Sequence, residues 1–293
     1  MRYAEAAALL GIAALWGGSF VFQRVLAPVY GPVPLTFFRL GFAGLFLIGF
    51  ALVRRQPVVQ WPRIGQLALL AVVSAAAPYT LFAFGAKTLS SAVLSVLNAT
   101  APMFGAVFAA VWLAERLSPW QIAGLFLGGA GVVVSSRAWE SGLPPGSLLA
   151  VGACLLAAAC YGLYGIGVQR SRSRFTPLEL ATASQAIGAV LLLAPTAATG
   201  PRFLLDRNLA LAAAFGVLCS GVPFLIYTWL LGRLGATRAL TVTFLIPVFG
   251  SLWGFLLLGE RLAIAHWAGG ALILLGTYYV TRRERDPVAE PVT

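Results

Sequence analysis

The sequence predicts an all-α polytopic membrane protein with ten transmembrane helices, arranged as two inverted five-helix repeats. Three observations predict this class: the composition, the length of the apolar runs and a duplication within the chain. Of the 293 residues, 60% are hydrophobic and 10% are charged, whereas soluble domains carry roughly 25% charged residues. Only helices and closed barrels satisfy their backbone in lipid. The apolar runs here continue over ~20 residues, the length of a spanning helix, instead of alternating as barrel strands do.

The duplication is visible in two similar stretches, Pro102–Leu117 (PMFGAVFAAVWLAERL) and Pro247–Leu262 (PVFGSLWGFLLLGERL). They are offset by 145 residues (247 − 102), and the same offset relates Pro78 to Pro223 without a gap. A repeat of this kind constrains the architecture of the whole chain. The sequence therefore predicts two copies of one apolar unit.

Ten apolar runs follow one another, and each is expected to form one spanning helix. The first is too long for a signal peptide, although Val25–Ala27 resembles a cleavage site. The longest polar connection, Arg137–Gly146, is the expected joint between the halves. The predicted spans lie roughly at 4–26, 33–53, 64–86, 90–113, 119–136, 147–169, 177–198, 209–231, 235–258 and 263–281. The predicted units are 1–140, the first repeat; 141–282, the second; and 283–293, a disordered cytoplasmic tail.

The basic residues in the connections set the expected orientation, because Lys and Arg favour the cytoplasmic side. With the N-terminus inside, Arg39 lies within a span, six basic residues lie outside and thirteen lie inside. The outer six are Arg24, Lys87, Arg137, Arg202, Arg207 and Arg261; the inner thirteen are Arg2, Arg54, Arg55, Arg63, Arg116, Arg170, Arg172, Arg174, Arg233, Arg238, Arg282, Arg283 and Arg285. Both termini are thus expected in the cytoplasm, with the chain in a bacterial-type inner membrane. Five spans per unit is an odd number, so the two units are expected to face opposite ways.

The formal net charge of +11 does not indicate nucleic acid, because the basic residues are spread between the apolar runs. The cysteines, Cys154, Cys160 and Cys219, lie inside apolar segments without metal-ligand spacing. No metal, cofactor or nucleic acid is therefore expected. The expected partners are the lipid bilayer and a small-molecule substrate, in a monomer or a weak homodimer. Glycines in spans 5 and 10 favour close helix packing within one chain, with a dimer contact as the alternative.

Inverted repeats are the architecture of secondary transporters, which bind substrate near the midplane between the repeats. The motifs WGGSF at Trp16–Phe20 and FFRL at Phe37–Leu40, with the paired PxFG…ERL stretches, resemble the drug/metabolite transporter superfamily. The similarity is to its ten-span EamA branch, which includes bacterial amino-acid and metabolite exporters, and it covers residues 4–281. The resemblance implies a central cavity lined by spans 1–4 and 6–9, with spans 5 and 10 peripheral.

Charged groups at membrane depth are costly and mark candidate sites. No Asp or Glu lies deep in a span: Glu5 and Glu179 are near span ends. The short multidrug members of the superfamily use a glutamate in the first span, so this departure argues against proton-coupled drug export. Arg39 either binds a substrate carboxylate or serves the structure, by snorkelling or by satisfying carbonyls freed at a kinked helix; both remain open. His266, at the start of span 10, is expected to have a surface or packing role.

Aromatic and polar side chains cluster in the helices expected to line the cavity, where they suit small metabolites. Each of them alone is equally explained by contacts between helices. The candidate substrate-binding residues are Trp16, Ser19, Arg39, Tyr79, Asn98, Tyr161, Tyr164, Gln185, Tyr227, Thr241 and Thr243. Prolines occupy equivalent places in both halves and are expected to act as hinges or kinks: Pro78, Pro102, Pro223 and Pro247.

The predicted function is a secondary transporter that exports small metabolites, foremost amino acids including aromatic and neutral ones, by alternating access. The alternative is an efflux carrier for multiple drugs or hydrophobic cations. An intramembrane enzyme is disfavoured, because the sequence holds no nucleophile–base pair or metal-ligand motif at membrane depth. A channel is disfavoured because no repeated selectivity filter is visible.

Overall fold

The computed structural model describes residues 3–136, 145–170, 174–199, 207–234, 242–261 and 263–281. These residues form helices and short connections, with no strand among them. The ten helices are α1 Tyr3–Tyr30, α2 Pro32–Val53, α3 Trp61–Gly85, α4 Ser91–Trp112, α5 Pro119–Ser136, α6 Ser147–Arg170, α7 Pro177–Ala198, α8 in the successive parts Arg207–Gly216, Val217–Gly221 and Val222–Leu234, α9 Val242–Leu258 and α10 Ile264–Thr281.

Seven of these helices are long and apolar enough to cross a membrane. Large apolar side chains lie on the outer surface of the protein; Phe126 is 77% exposed and Val190 70% exposed. Soluble monomers rarely expose extended apolar surface of this kind. The chain is therefore an integral membrane protein. The count of ten spans and the inversion of the halves stay predictions.

Local sequence signals explain where several helices begin. Thr176 and Glu179 form a reciprocal capping box at the start of α7, and Pro177 occupies its first turn. At the start of α5, the Ser118 and Gln121 side chains each accept a hydrogen bond from the other's backbone N–H. These caps satisfy backbone donors that have no partner within the helix.

Three helices are interrupted beside prolines. In α3 the π-helical turn Val72–Ala76 precedes Pro78, and in α8 the π-helical turn Val217–Gly221 precedes Pro223. The predicted fourth span is not one continuous helix, since α4 breaks after Asn98 and resumes at Ala101. Pro102 lacks the N–H that would bond to the Asn98 carbonyl, which is the physical reason for a break at this point.

Helices α5 and α10 pack against each other through glycines. A side-chain carbon added at Gly124 would lie 2.6 Å from the Gly276 carbonyl oxygen, and one added at Gly131 would lie 2.7 Å from the Gly269 carbonyl oxygen. Because ascending numbers in α5 meet descending numbers in α10, these two helices are antiparallel. The contact uses these glycines within one chain, in agreement with the packing interpretation.

Other contacts recur with the offset of 145 residues seen in the sequence. Gly17 of α1 packs against the backbone at Phe249 and Gly250 of α9. Gly162 of α6 packs against the backbone at Phe104 and Gly105 of α4 in the same way. The two π-helical turns are also 145 residues apart (217 − 72).

The main core joins α1, α2, α3, α4, α6, α8 and α9. Its largest fully buried side chains include Phe82, Leu94 and Phe215. Ala83, Ala150 and Ala157 belong to the same core and bring the helix backbones close together. The core therefore fixes the helices that carry most of the candidate site residues.

Candidate functional site

Arg39 lies inside the protein with only 4% of its surface exposed. Its Nε donates a hydrogen bond to the Ser220 hydroxyl at 2.9 Å, and Nη2 donates to the Cys219 carbonyl at 3.4 Å. The guanidinium carbon lies 3.6 Å from the centre of the Tyr79 ring and 4.5 Å from that of Phe215. We call these five residues the arginine cluster; it joins α2, α3 and α8.

The bend in α8 explains why a cation is held there. Pro223 has no N–H, so the carbonyl four residues earlier, that of Cys219, loses its α-helical donor. The guanidinium supplies a donor to this carbonyl and stacks on aromatic rings that compensate for lost hydration. Of the alternatives left open by the sequence, this geometry matches a cation that satisfies a carbonyl freed at a kink. Binding of a substrate carboxylate by Arg39 stays a prediction.

Three aromatic rings meet between α1 and α8. The Trp16 ring centre lies 5.5 Å from that of Tyr227 and 6.2 Å from that of Phe224, and the Trp16–Phe224 contact is edge-on. We call Trp16, Phe224 and Tyr227 the aromatic trio. All three are partly exposed, so they present apolar faces and a phenol group that a small solute can contact.

The other candidate tyrosines lie near these two groups. Tyr161 packs against the buried set that contains Tyr79, and its ring stacks on Phe82 at 6.3 Å. Tyr161 is within electrostatic range of Arg39, and Tyr164 is within range of Tyr79 and Tyr227. Tyr79, Tyr161, Tyr164 and Tyr227 therefore come from α3, α6 and α8 to one region of the protein.

Gln185 on α7 is fully buried, and neither atom of its amide group has a hydrogen-bond partner. Helix α7 packs on the π-helical turn of α3, where the Ser74 hydroxyl is likewise buried without a partner. Leaving a buried polar group unsatisfied costs about 1–3 kcal/mol. The Gln185 amide and the Ser74 hydroxyl therefore keep hydrogen-bonding capacity that the described part of the protein does not use.

The remaining candidates are placed differently. The Ser19 hydroxyl is buried and donates to the Trp16 carbonyl at 2.6 Å, within its own helix. Asn98 is partly exposed at the break in α4, and Thr243 is partly exposed in the first turn of α9. Thr241 lies outside the described residues. Val242, the neighbour of Thr243, packs in the same apolar set as Trp16 and Tyr227.

The four candidate hinge prolines have unequal surroundings. Pro78 and Pro223 each lie two residues after a π-helical turn, and Pro102 follows the break in α4. Pro247 sits inside a continuous helix, α9. Their role as hinges stays a prediction, for which the first three have the more deformable backbone.

Sequence reasoning missed three partners of Arg39: Ser220, Phe215 and the Cys219 carbonyl. The free Cys219 carbonyl was predictable from the sequence, because a proline within a helix, here Pro223, leaves the carbonyl four residues earlier without its helical donor. Phe215 and Ser220 were not predictable, because nothing in the sequence says which helix lies beside Arg39. Gln23, which is 2% exposed with an unpartnered amide oxygen, was also missed.

Histidine and acidic residues near the helix ends serve the structure. His266 Nδ1 accepts a hydrogen bond from the Ala263 N–H at 3.1 Å, in the position that Gln121 holds at the start of α5. Glu179 caps α7 and accepts a hydrogen bond from Gln60 at 3.0 Å. In the described part of the chain, no group of three His, Cys, Asp or Glu residues is placed to hold a metal ion.

Comparison with protein families places both halves of the chain in the same family. The model of the EamA-like transporter family matches residues 4–137 and again residues 148–282. A solved crystal structure shares the fold with a TM-score of 0.64 at 20% sequence identity, covering 95% of this chain and 96% of that one.

Curated relatives match over most of their length. An uncharacterized transporter of Archaeoglobus fulgidus is 27% identical, over 92% of this chain and 95% of that protein. A probable terminal-alkyne amino-acid exporter of Streptantibioticus cattleyicolor is 29% identical, over 92% and 90%. An S-adenosylmethionine/S-adenosylhomocysteine transporter of Chlamydia trachomatis serovar L2 is 27% identical, over 84% and 79%.

Proposed function

Because the chain belongs to the EamA-like transporter family, we propose that it is a secondary carrier that exports small metabolites by alternating access. The two five-helix halves, residues 1–140 and 141–282, lie in opposite directions across the bilayer. The substrate binds between them, near the middle of the membrane. The site then opens to one side of the membrane and closes to the other when each half takes up the conformation that the other half had.

The observation that carries this proposal is the antiparallel contact of α5 with α10. These helices occupy equivalent places in the two family matches, and the pair Gly124–Gly276 corresponds to the pair Gly269–Gly131 under the offset of 145 residues. Equivalent helices that run antiparallel are expected if the halves are inverted. Parallel repeats would place them in the same direction.

The proposed substrates are amino acids, including neutral and aromatic ones. The aromatic trio supplies apolar contact area, while the buried amide of Gln185 and the hydroxyl of Ser74 supply polar groups. Arg39 carries the positive charge that would favour a substrate carboxylate. The relative from Streptantibioticus cattleyicolor, named as an amino-acid exporter, supports this substrate class and the outward direction.

A second candidate is efflux of hydrophobic cations. The aromatic trio favours it, because aromatic faces attract organic cations. The sequence, however, places no Asp or Glu deep in a predicted span, where a carboxylate could pair with such a cation. We therefore rank this function below amino-acid export.

The proposed location is a bacterial-type inner membrane with both termini in the cytoplasm, as the distribution of Lys and Arg favours. The carrier acts as a monomer or a weak homodimer. Its proposed unit of function is one chain, since both halves contribute to the candidate site.

An efflux screen tests the substrate class. A strain that overproduces the protein is loaded with single amino acids or dipeptides, and growth and extracellular amino acid are measured. We expect resistance and faster efflux for a subset of neutral or aromatic amino acids, absent in a strain that produces the Gln185→Leu variant. Resistance to hydrophobic cations without any effect on amino acids would favour the second candidate.

A further inference from the structure

The carboxylate of Glu260, just after α9, contacts α1 and the start of α4. Both Glu260 carboxylate oxygens accept from the Ser91 backbone N–H, at 3.1 and 3.0 Å, and Oε1 also accepts from the Ser91 hydroxyl at 3.3 Å. Arg24 Nε lies 3.6 Å from Glu260 Oε1. Arg24 Nη1 donates to the carbonyl oxygens of Ala86 at 2.9 Å and Lys87 at 3.4 Å.

These contacts join both halves of the chain at one end of the molecule. Glu260 follows α9, whereas Arg24 is in the last turns of α1 and Ser91 is the first residue of α4. The carboxylate accepts a hydrogen bond from the first backbone N–H of α4, where the helix dipole favours negative charge. Ser90 caps the same helix by accepting from the Val93 N–H at 3.3 Å. One anion thus holds α1, α4 and the end of α9 together.

The local sequence leaves space for this carboxylate. A side-chain carbon added at Gly254 would collide with Glu260 Oε2. Gly259 has a φ of +64° and turns the chain back at the end of α9. The Glu260 N–H bonds to the Gly254 carbonyl at 3.1 Å across this turn. Two glycines therefore position the acid against α4.

The equivalent turn, which follows α4, has the same backbone conformation, but its glutamate does not make the contacts that Glu260 makes. Ala114 has a φ of +55°, and the Glu115 N–H bonds to the Ala109 carbonyl at 3.4 Å. The Glu115 side chain, however, is exposed. The residues that hold Glu260 are not repeated at the offset of 145 residues: Arg24, Ser91 and Gly254 are replaced by Gln169, Ala236 and Ala109.

We propose that Glu260 is a latch that keeps its end of the molecule closed, and that this end opens when the carboxylate leaves Ser91 and Arg24. At the opposite end Glu115 is exposed and does not serve as a latch. There the halves are joined by Arg170, which donates to the Trp112 carbonyl at 2.9 Å, and by Gln60, which donates to Glu179 at 3.0 Å. On the predicted topology the latched end faces outwards, so the resting carrier is closed to the outside. Only the assignment of this opening to a transport cycle rests on the proposed function.

Hydrogen–deuterium exchange of the full chain in lipid nanodiscs tests the latch without any substrate. The Glu260→Gln variant removes the negative charge from the hydrogen bonds to Ser91. The Gly254→Ala variant retains the acid but moves it, because the added methyl group collides with the carboxylate. In both variants we expect amides at the start of α4 to exchange about tenfold faster, the factor that loss of a charged hydrogen bond gives. Glu115→Gln is the matched control and should leave this segment unchanged.

A second measurement separates a latch from a simple helix cap. Ser95 is fully buried one turn deeper in α4, where it faces Gly250 of α9. In a Ser95→Cys protein, release of the latch should raise the rate of labelling by a membrane-impermeant maleimide about tenfold. Protein without Ser95→Cys gives the background from the native cysteines.

Unchanged amide exchange in both latch variants overturns the proposal, as does equal acceleration by Glu115→Gln. Faster exchange at the start of α4 without faster labelling at position 95 also overturns it, because Glu260 would then be only a cap. If exchange and labelling behave as expected but the wild-type protein moves no solute, the carrier function fails and the latch stands.

Discussion

At the scale of single residues, Arg39 shows how this protein holds a cation in an apolar interior. A desolvated guanidinium on an aromatic face gains ~2 kcal/mol, and hydrogen bonds to charged groups contribute ~1.5–3 kcal/mol. Arg39 has both kinds of contact, with Tyr79 and Phe215 on its faces and Ser220 at its Nε. The side chain therefore stabilises the bend of α8 whether or not it also meets substrate.

Replacement of Arg39 separates these two roles. Arg39→Ala leaves the Ser220 hydroxyl and the Cys219 carbonyl without their partner, so we expect the free energy of unfolding to fall by about 3 kcal/mol. Denaturant unfolding in detergent measures this loss, alongside amino-acid flux in vesicles. Asn98→Ala is the comparison: it lies outside the arginine cluster, and we expect reduced flux with unchanged stability. An Arg39→Ala protein as stable as the wild type, but without flux, would contradict the structural role.

Residue identities in the site were partly predictable from the sequence. Arg39 stood out as the one charge inside a span, and Trp16, Tyr79 and Tyr227 stood out as aromatic residues in the helices expected to line the cavity. Their partners did not, because contacts such as Arg39–Ser220 depend on which helices become neighbours. The capping contact of His266 is local, since Ala263 lies only three residues earlier, but a histidine in that place has no common capping pattern in sequence.

At the scale of helices, small residues decide which elements can touch. Gly131 of α5 lies against the α10 backbone, whereas Gly129, two residues earlier, faces open space. We expect Gly131→Ala to force the helices apart and to lower the melting temperature, with a cost of about 1–3 kcal/mol. Gly129→Ala is the matched control; it adds a methyl group without a clash and should be neutral or stabilise by up to about 1 kcal/mol.

Thermal unfolding in one detergent compares these two variants directly. Equal melting temperatures for Gly131→Ala and the wild type would mean that α5 and α10 are not packed closely. Destabilisation by Gly129→Ala to the same extent would show that the effect comes from the backbone and not from the contact between the helices.

The helices themselves were predicted well and their interruptions less so. Each predicted span corresponds to a helical stretch in the described residues, because long apolar runs between polar connections have few other solutions in lipid. Pro78, Pro102 and Pro223 indicated bends. They did not indicate that two bends are π-helical turns and one is a break after Asn98, since these forms depend on the packing around each proline.

At the scale of the whole molecule, the inversion of the halves predicts opposite membrane sides for equivalent positions. Arg116 and Arg261 are related by the offset of 145 residues and follow α4 and α9. In intact cells, a membrane-impermeant thiol reagent should label Arg261→Cys, and should label Arg116→Cys only after the membrane is opened. Protein with only the native cysteines gives the background. Labelling of both positions from the same side would contradict the inversion.

Solute counterflow measures most directly whether the protein is a carrier that alternates its access between the two sides of the membrane. Purified protein is reconstituted into liposomes, and uptake of a labelled amino acid identified by the efflux screen is followed with and without unlabelled amino acid inside. We expect saturable uptake that internal substrate accelerates, because a loaded carrier returns to the outside faster. Uptake that does not saturate and is indifferent to internal substrate, with channel-like conductance, would contradict it.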